Sequence, residues 1–80
     1  MEVIYIKKKE FKSKKTEENY YIITTMINDE NIQDVYVDEN TYHWFDEAVC
    51  GDEIPQDFCS LDLYTYKNEL RSRLVININK

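Results

Sequence analysis

The chain opens on Val3-Ile4-Tyr5-Ile6, an unbroken β-branched and aromatic run that passes directly into lysines. It predicts a first strand over residues 2–11, with the lysines carrying it on into solvent. Residues 12–19 are polar and read as the connecting loop. Residues 20–27 carry the strongest strand signal, because seven of these eight are β-branched or aromatic. Asn28-Asp29-Glu30-Asn31 predicts a turn built from side chains that bond their own backbone. From Ile32 to Val37 the pattern alternates, with Ile32, Asp34 and Tyr36 on one face and Gln33, Val35 and Val37 on the other. This is a third strand, and the first three form a meander.

The period then changes. Tyr42, Phe45 and Val49 fall at helical spacing after Asp38-Glu39-Asn40-Thr41, which supplies several N-cap candidates. A short helix of about two turns is predicted, ended by Gly51 in a left-handed cap. Alternation resumes from residue 53, where Phe58, Ser60, Asp62, Tyr64 and Tyr66 oppose Cys59, Leu61, Leu63 and Thr65. Pro55 cannot donate to a ladder, so it belongs at a strand start, a bulge or an edge. Lys67-Asn68 reads as a hairpin tip. Residues 70–78 close the pattern, with Leu70, Ser72, Leu74, Ile76 and Ile78 expected inward and Arg71, Arg73, Val75, Asn77 and Asn79 outward.

Five strands with one short helix between the third and fourth is the element order of the OB-fold, so the sequence predicts a mainly β, five-stranded OB-like barrel as a single domain over residues 1–80. That fold binds ligands on the face of its second and third strands, flanked by the first and last hairpin loops. Here those loops are residues 12–19 and 66–69, and the basic residues lie there.

Composition supports a folded chain: 14% aromatic residues, one Gly and one Pro are not the make-up of a disordered segment. Eighty residues bury only a small core, which makes oligomerisation, most simply a homodimer, a natural supplement to stability. The net charge of −6 is unevenly spread. Residues 1–15 hold six Lys against Glu2 and Glu10, a local +4; residues 67–80 hold Lys67, Arg71, Arg73 and Lys80 against Glu69, a local +3. Residues 16–66 hold thirteen acids and no Lys or Arg. The molecule is polarised if its two basic ends meet in space.

A lysine-rich loop feeding an aromatic strand suits a phosphate backbone with bases stacked on tyrosine. The candidate phosphate contacts are Lys12, Lys14, Lys15, Lys67, Arg71 and Arg73, and the candidate platforms are Tyr21, Tyr36, Tyr64 and Tyr66. Tyr20 and Tyr21 point to opposite faces, so only one of them is available for stacking. The plainer reading of the lysine run is a charged edge strand that resists edge-to-edge pairing. For each tyrosine singly the plainer reading is burial, yet seven exceed what a barrel this small encloses.

No glycine-rich loop and no nucleophile motif stands near the lone His43, so no catalytic residue, cofactor or metal is expected and the chain is not read as an enzyme. No leader-like apolar stretch opens the chain and no membrane span is visible. The expectation is a cytoplasmic protein with Cys50 and Cys59 reduced, a bridge between them being the alternative.

Phe11-Lys12-Ser13-Lys14-Lys15-Thr16 with Tyr20-Tyr21, then Cys50-Gly51-Asp52-Glu53 and Leu70-Arg71-Ser72-Arg73-Leu74-Val75, resembles the small OB-like single-stranded-DNA-binding proteins of phages and mobile elements of Gram-positive bacteria. The resemblance implies binding of single-stranded DNA without sequence preference, as a monomer or homodimer, in replication or transfer of such an element. Glu17 and Glu18 stand where that type commonly has a Gly. The competing expectation is an acidic mimic of nucleic acid, whose middle segment occupies the groove of a basic host protein such as a nuclease or CRISPR effector.

Overall fold

A computed structural model describes residues 1–78, so Asn79 and Lys80 lie outside the described residues. The strands are β1 (Val3–Lys12), β2 (Asn19–Ile27), β3 (Asn31–Val37), β4 (Cys59–Tyr66) and β5 (Glu69–Ile76), with one helix, α1 (Glu39–Trp44), between β3 and β4. The predicted order of elements therefore holds, and the protein is mainly β. The strands form two antiparallel sheets, β1-β2-β3 and β4-β5.

No closed barrel is found among the described residues, and the segment after the helix shows why. Residues 51–54 begin to pair along the free edge of β1, with Gly51 N–H donating to the Tyr5 carbonyl, Tyr5 N–H to Asp52 and Ile54 N–H to Val3, each at 2.8 Å. Pro55 has no N–H to continue this ladder. A 3-10 turn at Gln56–Phe58 follows, so the strand expected from residue 53 starts only at Cys59 and pairs with β5 alone.

Turn chemistry sets both tight hairpins. Asn28 and Asp29 sit at φ 52° and 58°, and Lys67 and Asn68 at 51° and 65°. Two successive left-handed residues match the twist of the flanking strands. The helix is capped by Asp38, whose carboxylate accepts from the Thr41 N–H at 2.7 Å. It is shorter than its spacing predicts and ends at Trp44, because Phe45 leaves the helical conformation to enter the core. Val49 is consequently exposed rather than on a helix face. Gly51, at φ 105°, does not cap the helix; it turns the chain onto the edge of β1.

The core lies on one face of the three-stranded sheet, where Val3, Tyr5, Ile23 and Val35 meet Phe45, Ile54, Leu74 and Ile76. Phe45 stacks on Tyr5 with centroids 5.1 Å apart. Of the inward set expected in β5, Leu74 and Ile76 are buried, whereas Leu70 and Ser72 are exposed because the β4-β5 hairpin runs out beyond the sheet. No helix among the described residues is long and apolar enough to cross a membrane.

Candidate nucleic-acid interface

A bulge in β1 decides which side chains reach the open face of the sheet. Tyr5 pairs with Thr25 but Lys7 pairs with Thr24, so the register slips by one at Ile6. Without the slip, Phe11 would share the core face with Val3 and Tyr5. With it, Lys7, Lys9 and Phe11 turn to the opposite face, opposite Thr24, Ile22 and Tyr20. Phe11 stacks on Tyr20 at 5.3 Å, and Tyr20 lies 6.0 Å from Tyr36 on β3. Three aromatic rings thus cross three strands, and the last, Tyr36, is 75% exposed.

The second sheet supplies a matching band. Asp62, Tyr64 and Tyr66 face Arg73, Arg71 and Glu69 across the β4-β5 ladder. The Arg73 guanidinium lies 5.5 Å from the Tyr64 ring centroid, Arg71 5.2 Å from Tyr66, and the Lys67 ammonium 5.4 Å from Tyr66. Each of these cations lies within cation–π reach of its ring, which restrains both side chains. The bands of the two sheets meet at a groove of about 290 Å³ between β3 and β5, lined by Asp34, Val35, Tyr36, Arg73, Leu74 and Val75.

Charge on this face is partly balanced by its own acids. Arg73 bonds Asp62 through Nε at 3.1 Å and Nη2 at 2.9 Å; Arg71 bonds Glu69 at 3.1 Å; Lys9 bonds Asp34 at 3.3 Å. Exposed pairs of this kind contribute little to stability, so a phosphate competes with the carboxylate at small cost. No ion pair holds Lys12, Lys14 or Lys15 among the described residues. These three extend from the end of β1 into a loop closed by Ser13 and Glu18. Glu17 in that loop stands at φ 58°, the left-handed conformation that a Gly adopts without strain. Lys8, by contrast, faces the helix side, bonds Asp46 and lies 4.3 Å over the Tyr42 ring.

Asp34 sits where the two bands meet, and its carboxyl is held below the ordinary aspartate value. The Thr24 hydroxyl, donating at 2.7 Å, is the largest cause; partial desolvation opposes it and Lys9 adds to it. A depressed folded-state value contributes stability above the unfolded value of 3.8, and that contribution fades as pH falls through the folded value. Asp34→Asn is therefore expected to be less stable than the wild type near neutrality, with the difference vanishing in strong acid. Thermal melts of both proteins across the acid range check this, and a difference independent of pH contradicts it.

Of the residues singled out from the sequence, Tyr36, Tyr64, Tyr66, Lys67, Arg71 and Arg73 lie on this face, with Lys12, Lys14 and Lys15 at its loop end. Tyr21 is placed elsewhere: it is half-buried on the helix-covered face, 4.9 Å from Tyr42, and Tyr20 takes the open position. Phe11 and Tyr20 are the members that alternation alone does not find. The only hint of the slip behind them is the unbroken Val3-Ile4-Tyr5-Ile6 run, which strict alternation does not accommodate. Cys50 and Cys59 are free thiols, and burial pushes the Cys59 thiol up. Compared with family models, curated proteins and solved structures, the chain matches none.

Proposed function

We propose that this protein binds single-stranded DNA without sequence preference, as an open OB-like module. The observation that carries the reading is the groove shared by Tyr36 and Arg73, which joins the Phe11-Tyr20-Tyr36 rings to the Tyr64, Tyr66, Arg71 ladder. Aromatic platforms stack bases of any identity, while Arg and Lys track the phosphates between them. The loops at residues 13–18 and 67–68 flank this surface as the binding loops of an OB-like module do. A setting in replication or transfer of a phage or mobile element rests on the resemblance of the segments at residues 11–16, 50–53 and 70–75.

Titration with a poly-dT oligonucleotide of about 20 nucleotides, enough for one OB-like site, is expected to quench tyrosine fluorescence saturably. Binding weakens as salt rises, and Lys14→Ala or Lys15→Ala lowers the slope of log affinity against log salt by roughly one or less each. Absence of quenching at low salt, where such binding is strongest, sinks the proposal.

A second reading is favoured by the opposite pole. Trp44, 46% exposed, flanks a pocket of about 320 Å³ that Asp52 and Glu53 also line, with the acidic segment around it. A basic host protein with an apolar anchor fits that chemistry, as an inhibitor mimicking nucleic acid requires. Asp38 caps the helix, Asp46 bonds Lys8 and Asp52 accepts from the Val49 N–H, so charge removal there also disturbs the fold. Glu47 and Glu53 are the positions where charge reversal tests this pole.

A further inference from the structure

The core-facing stripe of the β4-β5 ribbon continues past the core. At its base lie Cys59, Leu74 and Ile76, packed within or against the core cluster. By the ladder register the same face runs on through Leu61, Leu63, Thr65, Leu70 and Ser72. Leu61, Leu63 and Leu70 are 56, 66 and 73% exposed. None of these five residues carries charge, in a chain of net −6. The ribbon has no ladder partner outside itself among the described residues, and a lone two-stranded hairpin is marginal in water.

Two global quantities agree with this local picture. The accessible surface is 5945 Å², whereas a compact monomer of 9.7 kDa exposes about 5,100 Å². The excess, roughly 800 Å², matches what one partner contributes to a standard-size interface. The radius of gyration is 13.2 Å, against about 11.6 Å for a compact domain of this length.

We propose that a second copy of this chain covers the leucine face, the two ribbons packing face to face about a two-fold axis. An isologous contact needs a self-complementary patch, and an uncharged leucine face meets that need in a chain whose copies otherwise repel. Nucleic acid does not suit the patch, which has no cation. A basic partner is drawn instead to the acids around α1. Packed in this way, the Tyr64, Tyr66, Arg71 and Arg73 side of each ribbon stays outward, so the dimer carries two open faces. Self-association through the leucine face does not depend on those open faces binding DNA.

Sedimentation equilibrium of the full chain, from low to high micromolar protein and at two salt concentrations, tests it. The expected mass is twice that of the chain, and association tightens as salt rises because screening removes the repulsion between like-charged copies. Leu63→Ser with Leu70→Ser is expected to weaken self-association by about a hundredfold or more, with circular dichroism unchanged; Tyr36→Ala leaves it intact. Where the double variant does not fold, Leu70→Ser alone, at the most exposed of the three leucines, takes its place. A monomer at every concentration overturns the proposal. A dimer that persists in a folded leucine variant also overturns it and places the contact elsewhere, such as the outer edge of β4.

Discussion

Phe45→Ala is expected to destabilise the protein by about 3–5 kcal/mol, more than any other single truncation of the core. Phe45 is 1% exposed, stacks on Tyr5 and meets Trp44 edge to face at 4.9 Å. It is the largest fully buried side chain of the core, whereas its neighbour Tyr42 packs against the core only partly buried, so the loss of Phe45 leaves a cavity that the short helix cannot collapse to fill. A domain of this length has a total stability of about 4–12 kcal/mol, so the variant stands at or near the unfolding threshold. Urea denaturation followed by far-ultraviolet circular dichroism measures it. A midpoint close to that of the wild type would show that the packing of α1 against Tyr5 contributes little.

Tyr36→Ala is expected to act on binding and leave stability alone. A true platform contributes about 1–3 kcal/mol per stacked base, or roughly a 5- to 150-fold loss of affinity for the oligonucleotide. At 75% exposure Tyr36 has little apolar contact to lose, so the thermal midpoint should hold. Tyr21→Ala provides the contrast, because Tyr21 packs under the helix against Tyr42 and its truncation lowers stability first. If Tyr21→Ala weakens binding at unchanged stability while Tyr36→Ala does not, the interface lies on the other face of the sheet.

Tyr36 and Tyr21 mark what alternation along a strand specifies and what it leaves open. Strict alternation at residues 32–37 grouped Tyr36 with Ile32 and Asp34, and the ladder to β2 makes theirs the face away from the core, because Ile23 and its partner Val35 are buried on the other side. The same rule could not choose between Tyr20 and Tyr21, since both open a run whose polar residues, Thr24 and Thr25, fall one on each face. The bulge at Ile6 is illegible for a related reason: nothing in Val3-Ile4-Tyr5-Ile6 says which apolar residue is the unpaired one. Its consequence, Phe11 on the open face, is therefore a result of register and not of residue type.

The helix and the last hairpin repeat the lesson. Spacing carried the helix forward to Val49, but burial of Phe45 took precedence over one more turn, and Gly51 became the corner onto β1. In β5 the inward period runs through Ser72 to Leu70, yet period cannot say where the covering layer stops.

Local chemistry by itself determined the five strands, the helix between the third and fourth, and the turns at residues 28–31 and 67–68, because each depends on residues within a few positions of one another; that Asp38 is the cap among several candidates came only with the structure. The tertiary structure alone decided that the sheets stay separate, that Phe11 and Tyr20 join Tyr36, that the groove brings Tyr36 to Arg73, and that three leucines remain uncovered. Those outcomes depend on which distant segment occupies an edge or a face, and the edge of β1 is occupied by the peptide groups of residues 51–54, not by β4.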